Sequence, residues 1–206
     1  MLYWDNENTI SEILSIMRSG RAIVGSSDTV IGLLAPLTQE GFSALNTIKK
    51  RQEKPYLILV ESQSAVENLI DQPLSAQIRG IMARCWPGPL TIIFKAKASL
   101  PAYIKGSDGT IALRVPAHAG LQRLLAHCDG LFSTSANKAG EPVPLSFDQL
   151  DQDIIKQVGA VISDDPNKYS QQTLPSTILD CSDGVTIRVV REGAYPIEEL
   201  LKKEQE

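Results

Sequence analysis

Ala22-Ile23-Val24-Gly25-Ser26-Ser27-Asp28-Thr29 is the stretch from which the fold can be read. A short apolar run ends in a glycine and four small polar residues, the pattern of a buried strand emptying into a polar loop. Upstream, Ile10, Ile13, Leu14 and Met17 recur at helical spacing, opened by Thr9 and Glu12 as a capping box and closed by Gly20. Downstream, Phe42, Leu45 and Ile48 predict a second helix that leads into the cations Lys49, Lys50, Arg51 and Lys54. Pro55 then forces an extended exit. Leu57-Ile58-Leu59-Val60 reads as a strand, residues 65–70 as a short helix and 75–85 as a longer one. The longer helix stops at Trp86-Pro87-Gly88-Pro89, where two prolines around a glycine cannot continue it. Strand-like stretches recur at 90–95, 111–115, 130–133, 160–163, 177–179 and 185–190, with helices near 118–126 and 197–203. The alternation predicts an α/β protein. An Asp183-Gly184 turn between the last two strands predicts an antiparallel hairpin within a mixed sheet. No repeat, linker or low-complexity tract interrupts the pattern, so a single domain over residues 1–206 is expected.

Charge narrows the function classes. The 206 residues carry 20 Lys and Arg against 24 Asp and Glu, a net charge of −4, so the chain lacks the electrostatic footprint of a nucleic-acid binder. An anionic partner has to be held by a local cluster. No apolar run approaches the roughly 18 residues needed to span a bilayer, and the first residues lack a basic stretch followed by an apolar one. A cytoplasmic protein with no membrane partner is expected. Cys85, Cys128 and Cys181 lie far apart and form no CxxC pair, which argues against a disulfide framework and for small buried hydrophobes.

Nucleophilic hydrolysis has no GxSxG elbow, and the only histidines, His118 and His127, fall at opposite ends of one helix pattern. They offer no HExxH spacing for a metal. Neither GxGxxG nor GxxxxGK[ST] occurs. What remains is a set of junctions where strands or helices end in small polar or basic residues: Ser27-Asp28-Thr29, the cations after Ile48, Arg114 before Pro116, Ser133 to Asn137, Ser176-Thr177, and Arg191 before Gly193. In α/β sheets ligands bind outside the strand ends, where small side chains let backbone N–H groups approach anionic oxygens and Arg forks can clamp them. A nucleotide or another phosphate ligand is the natural expectation. Plainer readings stand beside it. Cations at a helix end usually lie in water, Ser133 to Asn137 reads equally as a turn, and Trp86 to Pro89 reads as a rigid corner around a packed indole. Arg114 and Arg191 follow apolar residues and need either a ligand or a buried partner.

Taken together, seven segments resemble the motifs of YrdC-like threonylcarbamoyl-AMP synthases. In order they are Ser27-Asp28-Thr29-Val30-Ile31-Gly32-Leu33, Lys49-Lys50-Arg51, Trp86-Pro87-Gly88-Pro89-Leu90-Thr91, Thr110-Ile111-Ala112-Leu113-Arg114-Val115-Pro116, Ser133-Thr134-Ser135-Ala136-Asn137, Ser176-Thr177-Ile178-Leu179-Asp180 and Arg191-Glu192-Gly193. The resemblance runs over about residues 9–200 and is to the short, single-domain bacterial form. It implies a twisted α/β fold with a large concave surface. It also implies an enzyme joining L-threonine, bicarbonate and ATP into threonylcarbamoyl-AMP with release of pyrophosphate, for N6-threonylcarbamoyladenosine at tRNA position 37. By the same resemblance, Lys49, Arg51, Lys54, Thr110, Ser135, Asn137 and Arg191 correspond to positions around ATP, with Lys49 and Arg51 catalytic. Thr29, Arg114, Ser133 and Ser176 correspond to positions around threonine. Mg²⁺ is expected to accompany ATP, with no permanently bound cofactor, and the product to pass to the tRNA threonylcarbamoyl-transferase machinery. The chain departs from the family pattern at Ser26, Ser27, Ile31, Leu59, Val143 and Pro175.

The implied chemistry suits these residue types. The threonine amine and bicarbonate or CO2 form a carbamate, whose oxygen attacks the α-phosphate in line and expels pyrophosphate, so no protein nucleophile is required. Lys49, Arg51 and Arg191 would neutralise the developing charge and Arg114 would fork the threonine carboxylate. The second reading at this stage is a non-catalytic RNA-binding or ribosome-associated relative, with weak RNA affinity on the same concave face.

Overall fold

A computed structural model describes residues 1–50, 55–164 and 174–200. Arg51, Lys54 and the end of the helix expected at 197–203 lie outside the described residues. The chain opens with β1 (Leu2–Tyr3) and α1 (Thr9–Arg18), whose apolar stripe buries Ile10, Ile13 and Met17. The expected capping box is not formed. Asn8 is the N-cap, its carbonyl accepts from the Glu12 amide, and Thr9 is already helical and buried. Gly20 does end the helix, at φ +76, where a side chain would be strained.

Next come β2 (Ile23–Gly25) and β3 (Gly32–Pro36). The second of these was not anticipated, because its leading residues read as the end of the polar loop. It pairs antiparallel with β2, Gly25 facing Gly32, so residues 26–31 form a loop at one end of the sheet. Then follow α2 (Gln39–Lys49), β4 (Leu57–Leu59), α3 (Gln63–Glu67) and α4 (Ala76–Cys85). The side chains of Thr38, Ser62 and Ser75 cap the three helices. After α4 the Trp86–Pro87 peptide is cis, and the buried Trp86 indole donates to the Leu90 carbonyl at 2.6 Å, the rigid corner that the proline pattern predicts. The chain continues through β5 (Leu90–Lys95), β6 (Thr110–Arg114), α5 (Ala119–Leu125) and β7 (Leu131–Ser135). It ends in α6 (Gln152–Gln157), β8 (Val161–Ser163), β9 (Thr177–Asp180), β10 (Arg188–Arg191) and α7 (Ile197–Leu200).

The ten strands among the described residues form one sheet in the order β1-β8-β2-β3-β7-β4-β6-β5-β9-β10. Parallel pairs such as β4 with β6 and β5 with β9 alternate with antiparallel ones such as β3 with β7, so the sheet is mixed, as expected. The β9–β10 hairpin is present, but its second strand begins three residues later than the apolar run suggests. The amides of Val185 and Thr186 both donate to Asp183 Oδ1, which extends the turn.

Period-two alternation along the strands divides the sheet into two faces. Leu33, Ile58, Leu113 and Phe132 point to one face and pack with Leu45 and Ile48 of α2 and Ile78 and Met82 of α4. Leu34, Leu59 and Leu131 point to the other, where Ile13 of α1, Leu121 of α5 and Trp4 cover only part of the surface. The uncovered part is concave and forms the site described below. Cys85 and Cys181 are buried, Cys128 is half-buried, and none is in a disulfide. Burial, with Asp180 and Asp183 nearby, pushes the Cys181 thiol up to about 12. This thiol is an inert packing group.

Candidate functional site

The uncovered face holds a cavity of about 400 Å³, within the usual range for small-molecule sites. Its floor follows the strand period: Gly32 and Leu34 on β3, Leu57 and Leu59 on β4, Thr91 and Ile93 on β5, Ala112 and Arg114 on β6, Ser133 and Ser135 on β7. Thr29, Ser176 and Arg191 complete the wall at the loop end.

Arg114 is 3% exposed at the end of β6 and is partnered by its surroundings on three sides. Nη2 is ion-paired with Asp28 Oδ1, Nη1 donates to Thr29 Oγ1 at 2.8 Å, and Nε donates to the Gly88 carbonyl at 3.1 Å. Burial pushes the guanidinium below its ordinary value and Asp28 opposes that shift. Asp28 Oδ2 also accepts from the Ala117 amide at 2.9 Å, so one carboxylate ties the 26–31 loop to the exit of β6. Three of the five guanidinium N–H groups are therefore committed within the protein, leaving two.

Arg191 ends β10 and is exposed. Its Nε and Nη2 converge on the Ser176 carbonyl at 3.2 and 2.8 Å, and it has no carboxylate partner among the described residues. Burial lowers its pKa from the ordinary value, and the Arg114 charge adds to the effect. Two guanidinium groups thus line one cavity, none of whose described lining residues carries a carboxylate, an arrangement suited to an anion. Ser176 is buried, and its hydroxyl lies 2.8 Å from that of Thr91. Gly193 explains the glycine after Arg191: a Cβ there would lie 2.2 Å from the Pro175 carbonyl, so only glycine lets β10 leave so close to the segment carrying Ser176.

Of the residues singled out from the sequence, Thr29, Arg114, Ser133, Ser135, Ser176 and Arg191 line this cavity. Lys49 and Asn137 stand behind Ser135. The expectation of a solvated helix-end cation fails for Lys49, which is 3% exposed and donates from Nζ to the carbonyls of Ser135 and Asn137. Thr110 begins β6, at the opposite end of the strand from Arg114, and its hydroxyl donates to Asp108 at 2.8 Å. Asp28 and Thr91 were missed as working residues although both stand inside the quoted motifs. The signal for Asp28 was the demand of a buried Arg for a carboxylate. Among the described residues no three His, Cys, Asp or Glu side chains group to hold a metal ion. No helix among them is long and apolar enough to cross a membrane.

The fold and site define an α/β protein with a cationic, hydroxyl-lined cleft on one face of a mixed sheet. The model of the Sua5, YciO and YrdC family, described as telomere recombination, matches residues 15–193, and the chain belongs to that family. Threonylcarbamoyl-AMP synthase of Coxiella burnetii is 34% identical over 140 residues, covering 67% of this chain and 75% of that protein. A Methanocaldococcus jannaschii protein provisionally named threonylcarbamoyl-AMP synthase is 30% identical over 207 residues, 98% of this chain and 95% of its own. The crystal structure of P. abyssi Sua5 complexed with L-threonine superposes with a TM-score of 0.83 at 25% identity over 95% of this chain. This chain spans 58% of that Sua5 chain. E. coli YciO shares the fold, with a TM-score of 0.80 at 23% identity, 95% of this chain and 94% of that one being covered.

Proposed function

We propose that this protein is a threonylcarbamoyl-AMP synthase that makes threonylcarbamoyl-AMP and pyrophosphate from L-threonine, bicarbonate and ATP. One observation carries the reading. Arg114 and Arg191 flank a single cavity together with the hydroxyls of Thr29, Ser133, Ser135 and Ser176, so carboxylate and phosphate recognition meet in one place. The names of the relatives and the L-threonine complex of Sua5 support it.

Threonine enters on the Thr29, Arg114 and Ser176 side, its carboxylate taking the N–H groups of Arg114 that Asp28, Thr29 and Gly88 leave. Its amine combines with bicarbonate, losing water, to give the carbamate. The carbamate oxygen then attacks the α-phosphorus of ATP, the P–O bond to the β-phosphate breaks, and pyrophosphate leaves carrying both bonding electrons. Mg²⁺ enters with ATP as part of the substrate and neutralises phosphate charge. The protein supplies orientation, counter-charge from Arg191 and exclusion of water, which is what an in-line displacement without a protein nucleophile needs. Arg51 and Lys54 remain part of this proposal as ATP contacts outside the described residues. The product is handed to the machinery that threonylcarbamoylates tRNA.

Incubation with labelled bicarbonate, ATP and threonine should give one product holding the label, AMP and threonine by mass spectrometry. Salt-dependent RNA binding with no such product would favour the RNA-binding reading instead.

A further inference from the structure

His118 precedes α5 and lies outside the cavity lining, yet its ring is held from three sides. Nδ1 accepts from the Leu121 amide at 3.1 Å and caps the helix, which leaves the ring proton on Nε2. Nε2 faces both carboxylate oxygens of Asp164, just past β8, at 3.0 and 3.1 Å. The Trp4 indole meets the imidazole edge-on, with ring centroids 5.6 Å apart. Trp4 itself has little room to shift: a Cβ on Gly120 would lie 2.5 Å from its ring and one on Gly25 3.0 Å. Its Nε1 donates to Ser26 Oγ at 3.0 Å, at the start of the 26–31 loop.

This cluster adjoins the supports of the cavity. Ala117, next to His118 in the chain, donates its amide to Asp28 Oδ2 at 2.9 Å, and Asp28 Oδ1 pairs with Arg114. A ring fixed by Asp164 and Trp4 fixes the Ala117 amide, the amide fixes the Asp28 carboxylate, and the carboxylate sets which N–H groups Arg114 keeps for the cavity. Position passes in this way from the ring to Arg114 without any contact between His118 and a ligand.

We propose that His118, held by Asp164, is a positioning residue for the amino-acid substrate: it sets the Asp28–Arg114 pair that receives the threonine carboxylate and leaves the nucleotide side of the cleft unaffected. The proposal rests on the threonine-binding role given to Arg114 above.

The test is steady-state pyrophosphate release by the full chain, with threonine and ATP varied in turn. The proteins are wild type, His118→Asn, Asp164→Ala, Asp164→Asn, Asp28→Asn and the His118→Asn/Asp28→Asn double variant. Asparagine at 118 can still cap α5 but is too short to reach Asp164 as well. His118→Asn and Asp164→Ala should each raise the threonine KM about tenfold while kcat and the ATP KM stay within about twofold. Asp164→Asn keeps an oxygen for the Nε2 proton and should hold the threonine KM within about threefold of wild type. An amide at 28 has one oxygen where Arg114 and Ala117 now use two, so the His118→Asn and Asp28→Asn losses in threonine KM should not multiply in the double variant. A purely architectural role for His118 would lower kcat through the folded fraction and leave both KM values alone. That pattern, an equal rise in the ATP KM, or multiplicative losses would each overturn the proposal. A wild type that releases no pyrophosphate with threonine would remove the synthase reading. In that event the melting temperatures of the same proteins decide the His118 claim: non-additive shifts for His118→Asn and Asp28→Asn sustain it and additive ones overturn it.

Discussion

Removing the Asp28 charge would leave the Arg114 guanidinium buried against Thr29 and the Gly88 carbonyl with no counter-ion. Breaking a buried pair from one side costs about 3–5 kcal/mol. Asp28→Asn should then melt roughly 6–20 °C lower, given about 2–4 °C per kcal/mol for a chain of this size. A shift under about 2 °C in a calorimetric scan would show that the pair carries little weight. Arg191 behaves differently, being exposed and without a carboxylate partner among the described residues. Arg191→Lys keeps the charge but loses the fork on the Ser176 carbonyl, so pyrophosphate release should fall about tenfold with the melting temperature within a few degrees. Equal turnover in variant and wild type would remove Arg191 from the site. At this scale the sequence made the need for an Arg114 partner legible, since a charge ending an apolar strand cannot stay unpaired. It could not name Asp28, which lies 86 residues away. The burial of Lys49 was equally hidden, because helix-end spacing says nothing about the β7 exit that folds over it.

Elements position these side chains through a few close approaches. At Gly193 an added Cβ would meet the backbone of Pro175 and Ser176 at 2.2 to 2.7 Å, so Gly193→Ala must push the end of β10, with Arg191, away from the segment carrying Ser176. We expect weaker threonine and ATP binding together with a lower melting temperature. An alanine variant that titrates like the wild type would mean that the strand exit has slack. A second junction, between β8 and α5, holds Asp164 against His118 Nε2 at 3.0 Å. Burial opposes the Asp164 charge, but hydrogen bonds from His118 and Ser26 outweigh it and hold the carboxyl below its ordinary 3.8. A carboxylate depressed in the folded state contributes stability that is present above the unfolded pKa and is lost as pH falls through the folded one. The melting-temperature gap between wild type and Asp164→Asn should thus shrink as pH falls below about 4. A gap that widens on acidification would contradict this. Most helices and strands were legible from apolar period, because each buries one stripe or face. β3, α6 and β1 were not: the first hides behind a polar loop, and the other two are too short to show a period.

Sheet order decides what the whole molecule can do, and it was the least legible feature. Strands β3, β7, β4, β6, β5 and β9 are neighbours in space but scattered in sequence, so no local pattern reveals that their small and hydroxyl side chains share one uncovered face. Only the ordered set of motifs, read as a resemblance, anticipated the concave surface. The proposed synthase activity depends on that face bringing an amino acid and a nucleotide together. A site that hydrogen-bonds a substrate hydroxyl rejects an isostere lacking it, since its own polar groups are left unpaired. The most direct measurement is therefore pyrophosphate release with ATP and bicarbonate against a panel of amino acids. Threonine should stimulate release far more than valine or alanine, with a rate that collapses when bicarbonate is withheld; equal rates with threonine and valine, or release that needs no bicarbonate, would contradict a threonine-specific synthase.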